Sequence, residues 1–143
     1  MQFLSDLFGS SNNEKCYVLS LLHSKKGLWH IHGLWVDYKN GGYPTHCKQV
    51  QFDQTKLKTI MGPLNVFWYS DSEKNSLFWE HEYKKHGSCT TLEEFDYFNK
   101  TLDLYKEAIK LNLQDKYNKN GIALIPVTNN YKLVDNEKYD HIY

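Results

Sequence analysis

In the segment LWHIHGLWV, residues 28–36, Trp29 and Ile31 alternate with His30 and His32. Alternation at a period of two is the signature of a half-buried strand, because successive side chains leave a strand on opposite faces. The pattern predicts Trp29 and Ile31 on one face and both imidazoles on the other. An apolar run of strand length, CYVLSLLH at 16–23, comes just before, and Gly27 separates the two. GIALIPV, which begins at Gly121, reads as a further strand, and so does LNVFWYS at 64–70.

Between these runs the periodicity changes. QFDQTKLKTIMG at 51–62 reads as a short amphipathic helix ended by Gly62, and a second helix is expected from near Leu77 to a C-terminal glycine at Gly87. The longest helix follows, with Thr90 or Thr91 as cap and Glu93 and Glu94 in its first turn. Leu92, Phe95, Phe98, Leu102, Tyr105 and Ile109 form its apolar face. DYKNGGYP at 37–44 is dense in turn formers and is expected to be a loop. Helices between antiparallel strands define an α+β fold, with a central antiparallel sheet flanked by helices. A chain of 143 residues without repeat or linker is expected to be a single domain over 1–143, with 1–14 a flexible N-terminus.

Charge and hydropathy exclude some functions. Lysine plus arginine number 17, as do aspartate plus glutamate, so no broad basic face coats a polyanion, and an acidic partner must be held locally. The seven histidines add positive charge on acidification, which strengthens such binding. No apolar run approaches the roughly 20 residues that cross a bilayer, so no membrane partner is expected. The start MQFLSDLFGS has neither the basic nor the apolar region of a signal peptide.

Titratable chemistry is concentrated in FWEHEYKKHGSC, residues 78–89. On a helix at about 100° per residue, His81, Glu82, Lys85 and His86 fall within an arc of roughly 140° and share one face. A zinc site would need H-E-x-x-H; here the histidines stand five apart with Lys85 beside them, so no metal and no cofactor is expected. A cysteine nucleophile, Cys89 activated by His86, competes with a bridging or packed cysteine at that position. A solvated charged helix face is the plain alternative. Against it stands the second histidine pair, His30 and His32, in an aromatic strand. Two histidines from separate segments, a lysine and a glutamate, with no clear nucleophile, suit a substrate that brings its own. RNA does so through its 2′-hydroxyl, with one imidazole to take the proton, another to protonate the leaving oxygen, and a cation for the phosphate.

HIHGLWVDY at 30–38 and FWEHEYKKHGSC at 78–89 resemble the two active-site segments of the ribonuclease T2 family, the acid, base-nonspecific ribonucleases. GGYPTHC, FWYS and the long helix followed by GIALIP extend the likeness over roughly 16–126. The resemblance implies an endoribonuclease acting on single-stranded RNA through a 2′,3′-cyclic phosphate, with an inactive RNA- or protein-binding relative as the alternative. It implies His32 and His86 as the proton-transfer pair, Glu82, Lys85 and His81 as phosphate contacts, and Trp35, Asp37 and Tyr43 as a base pocket. Sequence alone does not decide which histidine is base and which acid, and Trp35 is open to a reading as core. The resemblance also implies a Cys47–Cys89 disulfide, with Cys16 outside it, and a secreted or endomembrane-lumen location. Closing a loop of about 40 residues contributes roughly 4 kcal/mol in the chain-entropy model. The chain departs from the family pattern at Leu21–Ser24, Val36 and Tyr69, none of them a matched catalytic position. The resemblance implies a further C-terminal part of the family domain beyond Tyr143; without it an uncovered sheet edge is expected, to be met by the last residues, a second copy or a partner.

Overall fold

The computed structural model describes residues 14–134, so the expected flexible N-terminus lies almost wholly outside the described residues. Among them, β1 (Lys15–His23), β2 (Trp29–Tyr38), β3 (Asn118–Lys119) and β4 (Ile122–Val127) form one antiparallel sheet in the order β2-β1-β4-β3. Four α-helices accompany it: α1 (Met61–Phe67), α2 (Asn75–Lys85), α3 (Glu94–Lys110) and α4 (Leu113–Tyr117). The fold is α+β.

Tyr17, Leu19 and Leu21 of β1 alternate into the core beside Ala123, Ile125 and Val127 of β4. Tyr97, Phe98, Leu102 and Tyr105 of α3 belong to the same core, as the 3.6-residue period requires. Val18, Ser20 and Leu124 leave the sheet on the other face, since strand side chains alternate.

In β2 the alternation breaks. Leu21 pairs with Ile31 and Ser20 with Gly33, so His32 is an extra residue opposite the join, a β-bulge. One inserted residue exchanges the faces of everything beyond it. Before the bulge the core residue is Ile31; after it the core residues are Leu34 and Val36. His30, Gly33, Trp35 and Asp37 therefore share the face opposite the core, which strict alternation from Trp29 predicts for His30 but not for the other three.

β2 is an edge strand, and its carbonyls find donors in aromatic side chains. Trp68 Nε1–H donates to His32 O at 3.1 Å, the Tyr97 hydroxyl to Leu34 O at 2.8 Å, and the Tyr105 hydroxyl to Trp29 O at 2.6 Å. At the other side, β3 pairs with only two residues of β4, and a bridge joins Val127 to Leu133.

Several sequence expectations are corrected. Residues 54–60 form a 3-10 segment that runs into α1, so Gly62 lies inside a helix and 64–70 does not form a strand. Pro63 is tolerated in a first helical turn, where its missing N–H costs nothing, so Gly62-Pro63 starts a helix rather than ending one. Leu64 and Trp68 are buried with Val66 exposed between them, and a short apolar run of this kind does not reveal its period. The cap of α3 is Glu93, without a side-chain bond; Thr90 instead donates to Gly87 O and accepts from Leu92 N–H. Gly87 is not in the left-handed conformation. A Cβ there would strike the rings of Tyr83 and Tyr97, so packing is what demands glycine. Asp37 and Tyr38 extend β2 rather than opening the loop.

Cys47 and Cys89 are joined by a disulfide, Cα to Cα 5.0 Å, which ties the loop after β2 to the turn after α2. Cys16 is outside that bridge, buried, with its Sγ 3.8 Å from Asp37 O. Replacing Tyr97 by Phe removes a buried donor at constant shape and should cost about 1–3 kcal/mol. Urea denaturation measures this; an unchanged midpoint would show that the Leu34 carbonyl does not depend on Tyr97.

Candidate active site

The face of β2 opposite the core and the helix α2 enclose a cleft of about 460 Å³. His32, Trp35, Asp37, Tyr43, Lys85 and His86 line it, with His81 and Glu82. Every residue expected at the site from sequence faces this one cleft, apart from the disulfide that holds its rim. Val18 and Leu124 complete an apolar wall.

Its centre is a contact between sheet and helix. The Trp35 indole Nε1–H donates to Glu82 Oε1 at 3.0 Å, and the Trp35 ring stacks on His86 with centroids 5.2 Å apart. Trp35 is thus neither plain core nor a free stacking surface, since its edge and one face are engaged by α2. Gly33 makes this possible: a Cβ there would collide with the Glu82 carboxyl and the Trp35 indole. Glycine is required for space here, a role the sequence reading did not assign to it.

Glu82 is 3% exposed. Burial pushes its pKa up to about 7, against the opposing pull of the Trp35 hydrogen bond and of Lys85. His86 is pushed down to about 3, first by burial and then by the positive groups Lys85, His81, His32 and His46. Its Nε2 lies 4.0 Å from Glu82 Oε1, too long for a hydrogen bond. In mild acid the Glu82 carboxyl and the His86 imidazole are both uncharged, so this contact is not an ion pair.

His32, on the bulge, also has its pKa lowered, by burial and then by His30, His81 and Lys85. Its ring stands edge-on to Trp35 at 5.1 Å and tilted to Phe78 at 5.9 Å. Asp37 has its pKa raised by burial, while Tyr43 is 68% exposed at the mouth. A second recess of about 360 Å³ lies on the other side of His32, bounded by His30, Tyr69, Ser70 and Phe78. His30 is buried and stacks on Tyr69 at 4.1 Å. This pair was not singled out from sequence; the period-2 pattern pointed to His30 but nothing marked Tyr69 as its partner.

The loop and α2 are held in register around the cleft. His46 N–H donates to Lys85 O at 2.8 Å, and Cys47 N–H donates to Ser88 Oγ at 3.0 Å. Ser88 Oγ–H in turn donates to Lys84 O at 2.7 Å. Lys15 Nζ reaches Cys89 O at 2.9 Å, which ties the same turn to β1.

A Glu82→Gln variant keeps an acceptor for Trp35 and removes the ionisation. Because the folded pKa of Glu82 lies above its ordinary value of 4.5, the wild type loses stability as pH rises from there through about 7. The loss amounts to roughly 3 kcal/mol at full ionisation. The Tm of the variant should therefore gain on that of the wild type between pH 5 and pH 8. A constant difference would contradict a buried neutral carboxyl.

Comparison with known proteins shows the family to which the chain belongs. Ribonuclease T2-A of Mus musculus is 34% identical over 129 residues, covering 84% of this chain and 46% of that protein. Ribonuclease T2 protein rnst-2 of Caenorhabditis elegans is 38% identical over 87 residues, 58% of this chain and 30% of its own length. The chain thus spans less than half the length of these curated relatives. A variant of RNase MC1 solved in complex with 5′-GMP superposes with a TM-score of 0.61 at 28% identity, covering 72% of this chain and 64% of that one. The profile of the Ribonuclease T2 family matches residues 3–138, and the chain belongs to that family.

Proposed function

We propose that this chain is a metal-independent endoribonuclease that cleaves single-stranded RNA by transesterification. The observation that carries the reading is the convergence of His32 and His86, from separate elements, on one cleft that also holds Lys85 and the buried Glu82. A relative of known structure, the RNase MC1 variant, was solved with a nucleotide, 5′-GMP.

In the first step His86 takes the proton of the ribose 2′-hydroxyl as the 2′-oxygen bonds to phosphorus. The bond from phosphorus to the 5′-oxygen breaks, and His32 gives its proton to that oxygen. A 2′,3′-cyclic phosphate results. Water then opens it, with the two histidines in exchanged roles, to leave a 3′-phosphate. His86 suits the base because it is uncharged at mildly acid pH. A bound phosphate anion opposes the positive neighbours that depress the His86 pKa and strengthens the base. Lys85 faces the phosphate as a cation with His81 beside it, and a protonated Glu82 donates a hydrogen bond where an ionised one would repel.

Trp35, Asp37 and Tyr43 form the pocket for one base, with Tyr43 as an exposed stacking ring and the Asp37 carboxyl toward the base edge. The recess beside Tyr69 receives the nucleoside across the scissile bond. A formed disulfide fits an oxidising compartment, so a secreted or lumenal location is part of the reading.

The pH dependence follows from the signs. His32 must be charged and its pKa lies below 6.5; Glu82 must be neutral and its pKa is about 7; His86 must be neutral and is so above about 3. Activity should be highest in mild acid and fall as pH rises toward and beyond 7. Cleavage of a labelled oligoribonucleotide in EDTA should give cyclic-phosphate ends, and His32→Ala and His86→Ala should each lose about 10²–10⁴ in rate. Loss of activity in EDTA that a divalent metal restores would overturn the mechanism. RNA retained but not cut would make this chain a binding relative instead.

A further inference from the structure

Next to the cleft, the loop after β2 and the outer side of α2 form a further, polar recess of about 530 Å³. His46, Lys48, Gln49, Gln51 and Lys84 line it, together with Val50. None of these is among the residues assigned above to proton transfer, to the scissile phosphate or to a base.

The recess is fastened to the cleft. His46 donates its backbone N–H to Lys85 O, and its charge is among those that act on His86. Lys84 precedes Lys85 on α2, and Lys48 follows Cys47, which is covalently joined to Cys89. The loop therefore cannot shift its cations without breaking the register of α2. From Tyr43, at the mouth of the cleft, three residues lead to His46, a span of at most about 10 Å.

The lining holds cations and amides and no carboxylate. In a chain of formal net charge 0, that is a local concentration of positive charge. Lys84 pairs with Glu80 at 2.7 Å, but both side chains are more than a third exposed, and such a pair contributes little and yields readily to a polyanion. Lys48 also borders the adjoining recess, where Lys56 is joined by the carboxylates Glu93, Glu94 and Asp96. The carboxylates on that side limit the cationic surface to the part of the recess between Lys48 and Lys84.

We infer that this recess is a subsite for a backbone phosphate of RNA flanking the scissile one, held by Lys48, Lys84 and His46. It rests on the ribonuclease reading above and extends it from a dinucleotide to a longer strand. A polyanion bridging the cleft and the recess meets two separate sets of cations, so affinity depends on substrate length and on salt.

The test compares the wild type with a Lys48→Gln/Lys84→Gln double variant on two substrates. One is a dinucleoside monophosphate, which has only the scissile phosphate; the other is a single-stranded octaribonucleotide. On the octamer, kcat/KM of the variant should fall roughly tenfold at low salt, and its log-log salt slope should shrink by about 1.4, close to 0.7 for each cation removed. On the dinucleotide it should stay unchanged. Equal losses on both substrates, or none on either, would overturn the subsite. Should the wild type cut neither substrate, the ribonuclease reading fails. Fluorescence anisotropy with an all-2′-deoxy octamer then still decides the subsite: a reduced salt slope in the variant supports it, an identical slope refutes it.

Discussion

The hydrogen bond from the Trp35 indole to the Glu82 carboxyl is the contact on which the cleft depends. It joins the central sheet to α2 across a residue without a side chain, Gly33, and it fixes the indole face against which His86 stacks. A buried carboxyl of this kind would be costly without a donor; the bond from Trp35 supplies one to Oε1, while burial keeps the carboxyl neutral in mild acid. Because Glu82 and His86 are both uncharged there, Lys85 is the cation nearest to them on the same helix face. In the proposed mechanism that arrangement leaves an unprotonated imidazole beside the phosphate.

The covalent and backbone constraints serve the same geometry. The Cys47–Cys89 bridge and the bonds through Ser88 hold the loop after β2 against the end of α2. Trp68, Tyr97 and Tyr105 satisfy carbonyls of the edge strand from the core side, so β2 stays in register without a further strand on its outer edge among the described residues. The same three rings belong to or pack on the central core. Core packing and the position of His32 are therefore coupled directly through the His32 carbonyl.

Much of this was legible in the sequence, for identifiable reasons. β1, β2, β4, α2 and α3 carry strong periodicity or clear boundaries, and the one-face grouping of His81, Glu82, Lys85 and His86 follows from helical geometry alone. The bulge at His32 was not legible, because a register change depends on the partner strand and leaves no mark on local alternation. It matters most for Trp35 and Asp37: strict alternation from Trp29 and Ile31 puts them on the core face, and the inserted residue moves them beside the histidines. Residues 64–70 failed for another reason, since Leu64 and Trp68 bury one helical stripe too short to separate from a strand. The demand for glycine at 33 and 87 comes from neighbours distant in sequence or across a turn, Trp35 and Glu82 in one case and Tyr83 and Tyr97 in the other.

The central claim is that Glu82 remains a neutral acid through mildly acid pH in the folded protein. The most direct measurement is the NMR pH titration of the Glu82 side-chain carboxyl carbon, assigned by comparison with the Glu82→Gln spectrum. The account predicts a midpoint near 7, far above the ordinary glutamate value of 4.5. A midpoint at or below the ordinary value would mean that Glu82 is ionised beside His86, and the electrostatic basis assigned to the cleft would be wrong.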